Sequence, residues 1–366
     1  MIIKNGTVFQ DNKTFVKKDL YMENGKIANA PINAEVEEII DAEGLLVLPG
    51  LVDIHSHGAV GHDFSDGNKE GLKEILAYEY NHGITSYCPT SMTVEKDKIR
   101  QIFQEMGNWK DEKGLAHVAG INMEGPFLDA AKKGAHRVEC ILAPDVDFFR
   151  ECNNSCGNMI CLVTLAPNVE GALDFIKELK DEVVISLGHS AADYDTTKKA
   201  LEAGANHVTH LYNAMNPLGH RAPGLIGAAS EDENCMAEII SDGIHVHASM
   251  VRAAFKLFPG RMILISDSMR ATGLANGTYE LGGQQVTVNG KLATLSDGTI
   301  AGSATNVFDC MRTAVSFGIP MEEAIAAATM NPAKSIGIYH EVGSLTPGKR
   351  ADVILTDKDL NLVRVI

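Results

Sequence analysis

Six side chains spread over more than two hundred positions have the types and settings of a single metal-hydrolase site. His55 and His57 stand in Asp53-Ile54-His55-Ser56-His57-Gly58, and Glu124 in Asn122-Met123-Glu124-Gly125-Pro126. His189 follows in Leu187-Gly188-His189-Ser190, His210 in Val208-Thr209-His210-Leu211-Tyr212-Asn213, and Asp267 in Ile265-Ser266-Asp267-Ser268. Each sits just past a short apolar run that reads as a buried strand. A hydrolytic metal needs several imidazole and carboxylate ligands converging on one point, with a position left open for water. Singly, each residue has a plainer reading. A His-x-His pair shares one face of any strand. Glu124 fits a turn carboxylate, His189 a core histidine, His210 the start of a helix cap and Asp267 an N-cap. The joint placement carries the argument, because five strands of eight end in a candidate ligand or base.

The elements that must position these groups alternate. Apolar runs fall at 51–54, 84–88, 117–123, 159–165, 183–187, 207–209, 236–240 and 262–265. Helical periodicity lies between most of them, at 69–82, 95–109, 169–180, 193–203 and 248–258. Eight buried strands with intervening helices predict an α/β protein built as a (β/α)₈ barrel, whose strand C-termini all open into one mouth. An open doubly wound sheet is the alternative, but the Gly-rich dinucleotide turn is missing after the first strand.

Residues 1–49 read as the first part of a small β-sandwich domain, with short strands at 2–3, 7–9, 19–22 and 45–48 and turn chemistry at Asn5-Gly6, Asn24-Gly25 and Glu43-Gly44. The barrel domain is expected over 50–342, and the sandwich is completed by 343–366 through a strand at 351–355 and another at 362–365. A hairpin is expected within 277–300 around Asn289-Gly290, and helices at 305–317 and 321–330.

Composition narrows the partners. A chain of 366 residues with 45% hydrophobic and 22% charged residues is ordinary for a globular protein. Its formal charge of −16 argues against nucleic acid and against an anionic membrane surface, which both demand a basic face. A small anionic substrate stays compatible, because distant surface charges are screened over about 8 Å and one arginine can dominate a pocket. No apolar run reaches the length of a membrane span, and the N-terminus is read as lacking a secretion leader. Seven cysteines without framework spacing suit free thiols in a reducing cytoplasm; Cys152, Cys156 and Cys161 cluster, but three thiols make a poor zinc site.

These motifs resemble the amidohydrolase superfamily and, within it, the N-acetylglucosamine-6-phosphate deacetylase family. The resemblance runs over essentially the whole chain. It rests on Pro49-Gly50-Leu51-Val52-Asp53-Ile54-His55-Ser56-His57-Gly58, Met123-Glu124-Gly125-Pro126-Phe127, Gly188-His189-Ser190 and His210-Leu211-Tyr212-Asn213-Ala214-Met215, with Arg221-Ala222-Pro223-Gly224-Leu225, Asp242-Gly243-Ile244-His245 and Ser266-Asp267. It implies that Glu124, His189 and His210 hold a principal divalent metal and that His55 and His57 hold a second, with Glu124 as a bridge. One or two ions of Zn, Fe, Mn or Co suit such ligands. The resemblance further implies that Asp267 is the proton-transferring carboxylate and that His136, in Lys133-Gly134-Ala135-His136, stabilises an oxyanion near the substrate.

Arg221 is then expected at the sugar phosphate, for which a planar guanidinium fork is suited. Ala135, Asn213, Ala214, His245 and the turn Ile300-Ala301-Gly302-Ser303 match other substrate-contacting positions. Family members are usually homodimers in which a neighbour completes the phosphate pocket. Family members usually continue into a further turn and final strand, whereas this sequence stops at Ile366. Hydrolysis of N-acetyl-D-glucosamine 6-phosphate in amino-sugar catabolism and cell-wall recycling is the expected reaction. Deacetylation of the galactosamine epimer, hydrolysis of a cyclic amide or deamination, and non-catalytic binding of a sugar phosphate or metal are the competing readings.

Overall fold

The computed structural model describes residues 1–30 and 38–366, so residues 31–37 of the expected N-terminal segment lie outside the described residues. Eight parallel strands form the central layer: β1 (Leu51–Ser56), β2 (Ile84–Ser91), β3 (Ile121–Glu124), β4 (Ile160–Leu165), β5 (Val184–Leu187), β6 (His207–Val208), β7 (Met236–Ile240) and β8 (Met262–Ile265). Each is followed in the chain by a helix: α1 (Lys69–Asn81), α2 (Lys96–Glu105), α3 (Val146–Ser155), α4 (Ala172–Leu179), α5 (Tyr194–Ala203), α6 (Gly224–Glu231), α7 (Ala248–Leu257) and α8 (Val307–Ser316). This is the (β/α)₈ barrel that the alternating runs predict.

The barrel closes where β8 meets β1. The Asp267 backbone N–H donates to the His55 carbonyl at 2.9 Å. The buried Asp53 carboxyl also accepts from the Ser266 hydroxyl at 2.5 Å, so a polar group near the middle of β1 pins the last strand to the first. Val52, Ile54, Cys88, Leu162, Ile240, Ile263 and Ile265 fill one interior cluster, which anchors the strand ends above it. Helices that follow strands begin on the mouth side of a barrel. Asn68, Asp145, Asp193 and Asn306 cap α1, α3, α5 and α8 there by accepting first-turn N–H groups at 2.8 to 3.1 Å, each cap being worth about 1 kcal/mol.

Strands from both ends of the chain share one sheet, ordered Leu362–Val365, Val353–Thr356, Leu46–Pro49, Thr7–Phe9 and Phe15–Lys17. A second sheet runs Lys26–Ala28, Leu20–Glu23, Ile2–Lys4 and Ile39–Asp41. Ile3, Val8, Leu20, Ile27, Val47, Val353 and Leu355 pack between them as a separate core, making the small β-sandwich.

Several elements are absent from the sequence reading. The strands at 15–17, 26–28 and 39–41 are three residues each, too short to show an alternation. Helix α6 begins directly after Pro223, in a segment where no helix is expected from periodicity. The expected hairpin is a three-stranded sheet, Gly277–Leu281, Gln284–Asn289 and Leu292–Thr294. Its extra strand turns at Gly282-Gly283, where both φ angles are positive. Among the described residues no helix is long and apolar enough to cross a membrane.

Candidate metal centre

The barrel mouth gathers the six residues with which the sequence analysis began. Glu124, at the end of β3, occupies the middle. Its Oε1 lies 3.0 Å from His210 Nε2, 3.1 Å from His189 Nε2 and 3.5 Å from His55 Nε2. Its Oε2 lies 3.2 Å from His57 Nε2 and 3.3 Å from His136 Nε2. Asp267 Oδ1 is 3.2 Å from His57 Nε2 and 3.8 Å from His55 Nε2. Two donors that are each about 2.1 Å from a tetrahedral ion stand about 3.4 Å apart, so this set has the spacing of a cation's ligands. His55 Nε2 is buried and has no hydrogen-bond partner among the described residues, as a nitrogen reserved for a metal would. The histidine and glutamate groups can hold a divalent ion.

The second ring nitrogens sort these histidines into two kinds. Carbonyl and carboxylate oxygens only accept, so the nitrogen facing one carries the proton. His57 Nδ1 faces the Thr90 carbonyl at 3.1 Å, His189 Nδ1 the Lys132 carbonyl at 2.9 Å, and His55 Nδ1 the Glu238 carboxylate at 2.9 Å. With a proton kept on Nδ1, Nε2 is the nitrogen that each of the three would offer to an ion beside Glu124. His136 is the reverse case. Its Nδ1 accepts the backbone N–H of Thr93 at 3.3 Å, which leaves the proton on Nε2, aimed into the site as a donor.

Electrostatics favour positive charge at this point. Burial opposes a charged His57, yet hydrogen bonds and fields from Asp267 and Glu124 raise its pKa to about 10. Burial outweighs Glu124 at His189 and, helped by the fields of His136 and His210, lowers its pKa to about 4, leaving a neutral ring at physiological pH. Burial would also raise the Asp267 carboxyl, but the His57 hydrogen bond and the fields of His55 and His57 hold it below its ordinary value.

The backbone is strained at the same places. His189, His210 and Asp267 have φ of 46°, 27° and 48°, and Ala214 has 51°, a region that costs a residue other than glycine about 1–3 kcal/mol. Neighbouring hydrogen bonds enforce it. Asp129 N–H donates to the His189 carbonyl at 3.0 Å, Leu211 N–H to the Glu238 carbonyl at 2.8 Å, and Ser303 N–H to the Asp267 carbonyl at 2.6 Å. A Cβ on Gly302 would come within 2.9 Å of the Asp267 carbonyl oxygen, so glycine there admits the Asp267 backbone.

Outside the ligand cluster the mouth widens into a cavity of about 400 Å³. Ala135, His136, Asn213, Ala214, His245, Ile300, Ala301 and Gly302 line it, together with Lys132, Met92 and Leu281, which the sequence reading did not single out. The three-stranded sheet forms one wall: Leu281 comes from its first strand, and Gln284 donates to the Ala135 carbonyl. His245 is fixed from both sides, with Nδ1 2.7 Å from Asp242 and Nε2 3.0 Å from the Ala301 carbonyl. Ser303 lies behind the wall, its hydroxyl donating to the Ser266 carbonyl at 2.6 Å. Arg221 is exposed and lies outside the lining of its own chain's cavity. Glu238 is a buried carboxylate that sequence reasoning missed; the one available signal was a charge inside the apolar run 236–240.

A barrel whose strand ends converge on one histidine–carboxylate cluster defines a metal-dependent hydrolase architecture, and the comparisons place the chain within it. The model of the amidohydrolase family matches residues 46–366, and the chain belongs to that family. The chain is 38% identical to the N-acetylglucosamine-6-phosphate deacetylase of Bacillus subtilis (strain 168), over 100% of this chain and 95% of that protein. It is 34% identical to the N-acetylgalactosamine-6-phosphate deacetylase of Escherichia coli O157:H7, over 92% of this chain and 89% of that one. Among solved structures, a mutant of the Mycobacterium smegmatis N-acetyl-D-glucosamine-6-phosphate deacetylase in complex with N-acetyl-D-glucosamine-6-phosphate superposes with a TM-score of 0.92 at 30% identity, covering 100% of this chain and 97% of that one.

Proposed function

We propose that this chain is a metal-dependent deacetylase that hydrolyses N-acetyl-D-glucosamine 6-phosphate to D-glucosamine 6-phosphate and acetate. The observation that carries the reading is the convergence of the Nε2 atoms of His55, His57, His189 and His210, with that of His136, on Glu124, with Asp267 within 3.2 Å of His57 and a cavity open beside them. Relatives of full-length similarity are named for this reaction.

Glu124, His189 and His210 would hold the principal ion, and His55 and His57 a second, with Glu124 between them; Zn, Fe, Mn or Co would suit the set. A divalent ion bound there supplies Lewis acidity toward the attacking water and the acetyl carbonyl. The remaining work falls to the protein. Asp267, kept ionised, accepts the proton of the attacking water and returns it to the sugar nitrogen, since an amide anion is too basic to leave unprotonated. His136 donates its Nε2–H to the carbonyl oxygen as negative charge develops there. Asn213, Ala214, His245 and the turn at 300–302 orient the sugar, and Arg221 receives the phosphate.

Because Arg221 stands outside its own chain's cavity, we assign its phosphate contact to a neighbouring subunit of a homodimer. Residues 1–49 and 343–366 form the supporting domain in this reading, 50–342 the catalytic one, and the cytoplasm is the compartment. Acetate release from the phosphorylated gluco and galacto epimers and from free N-acetylglucosamine tests it. Faster turnover of the gluco ester, with little on the free sugar, is expected; faster turnover of the galacto ester would reassign the substrate.

A further inference from the structure

Strand β7 contributes no candidate ligand, yet it carries the carboxylate most closely engaged with the ligands from behind. Glu238 is fully buried within an apolar strand. One oxygen, Oε2, accepts from His55 Nδ1 at 2.9 Å and from the backbone N–H of His210 at 3.1 Å. The Glu238 main-chain carbonyl accepts the next N–H, that of Leu211, at 2.8 Å. A single residue therefore grips a ligand from each half of the centre: the ring of His55 and the backbone of His210 at its strained φ of 27°.

The other oxygen, Oε1, faces His207. It is buried without a hydrogen-bond partner and lies 3.6 Å from His207 Nε2, which is likewise unpartnered among the described residues. His207 is anchored in turn by Ser335 at 3.3 Å from its Nδ1. Buried polar groups thus follow one another from the metal cluster through Glu238 and His207 to Ser335, in the helix Met330–Ser335.

We propose that Glu238 is a positioning residue that couples the two halves of the metal centre: it keeps the His55 proton on Nδ1, so that Nε2 is the nitrogen left for an ion, and it holds the His210 backbone in place. This rests on the metal-binding reading of the cluster. An anionic partner behind a ligating imidazole also makes the ring a stronger donor, and loss of such a partner lowers metal affinity about 10–100-fold. Glu238 touches no substrate and moves no proton to it, so its loss acts through the ligands.

The test uses metal-free full-length protein titrated with Co(II) against a competing chelator, with the Co(II) absorption spectrum recorded alongside and the thermal midpoint of the metal-free form as the control for folding. Glu238→Leu, which leaves the His55 and His210 donors without an acceptor, is expected to bind Co(II) about 100-fold more weakly and with an altered spectrum. Glu238→Gln keeps an acceptor oxygen but no charge, and is expected to recover most of the spectrum at about tenfold weaker affinity. The KM for sugar should stay unchanged in both while kcat falls. If Glu238→Leu does not fold, the isosteric Gln variant decides the matter. Wild-type affinity and spectrum in the folded variants would overturn the proposal. Wild-type protein that takes up no Co(II) would instead overturn the metal reading on which it stands.

Discussion

The backbone N–H of Thr93 donates to Nδ1 of His136 at 3.3 Å, and this one contact separates His136 from the histidines around it. His57 and His189 meet carbonyl oxygens at the same ring position and so leave Nε2 for an ion, whereas His136 keeps its proton on Nε2. Proximity to Glu124 would class all of them as ligands. The account predicts that His136→Ala lowers kcat about 10²–10³-fold, the cost of one oxyanion donor. Metal content, read by emission spectrometry, should match wild type. A variant that loses metal in proportion to activity would make His136 a ligand.

Asp267 is expected to behave differently from the ligands for a related reason. Its carboxylate lies nearest His57, and its role requires accepting and releasing a proton. Asp267→Asn should lower kcat about 10²–10⁴-fold, the range for a positioned general base, while bound metal stays at the wild-type level. Unchanged turnover would remove Asp267 from the mechanism.

For the phosphate end, Arg221→Ala should raise KM about 10–100-fold with little change in kcat, as loss of a charge-assisted hydrogen bond made equally in ground and transition states does. Arg221→Lys should recover only part, because an ammonium lacks the planar fork. Steady-state kinetics on the phosphorylated sugar checks both. Equal KM in wild type and Ala variant would place the phosphate elsewhere, with Lys132 the cation already in the cavity lining.

Asp242 and His245 make a pH prediction. Burial opposes charge on both, but their 2.7 Å contact wins: Asp242 lies below its ordinary 3.8, and His245, helped by the field of Asp267 and the Ala301 carbonyl, lies above its ordinary 6.5. The stability contributed by His245 is complete below 6.5 and is lost as pH rises through its raised value. That of Asp242 is complete above 3.8 and is lost as pH falls through its lowered value. The pair therefore stabilises most between these two pH values. Thermal midpoints of metal-free wild type and Asp242→Asn should differ most in that window and converge at higher pH. A gap that does not vary with pH would contradict the pairing.

Much of this site was legible in the sequence because the barrel places functional side chains at strand C-termini, and a polar residue after an apolar run is visible there. His55, His189 and His210 were found in this way. Glu238 was not, since it lies in the middle of β7 and reads as part of a buried run; only the spatial meeting of β1, β6 and β7 gives it a partner. Asp242 stands in a quoted motif, but its pairing with the His245 ring, held from the other side by the Ala301 carbonyl, is visible only in the structure. The tautomer of His136 depends on Thr93, from a different loop, and no spacing rule connects them. The gross fold followed from periodicity, whereas the three-residue strands of the sandwich carry too few positions to show one.

The central claim is that the cluster around Glu124 holds a divalent ion without which the acetyl amide is not hydrolysed. Acetate release from N-acetyl-D-glucosamine 6-phosphate should be measured on one preparation before chelation, after exhaustive chelation, and after reloading with Zn, Fe, Mn or Co in turn, with bound metal counted at each stage. The account predicts that activity disappears with the metal and returns with at least one of the four. Full turnover by protein shown to be metal-free would contradict it.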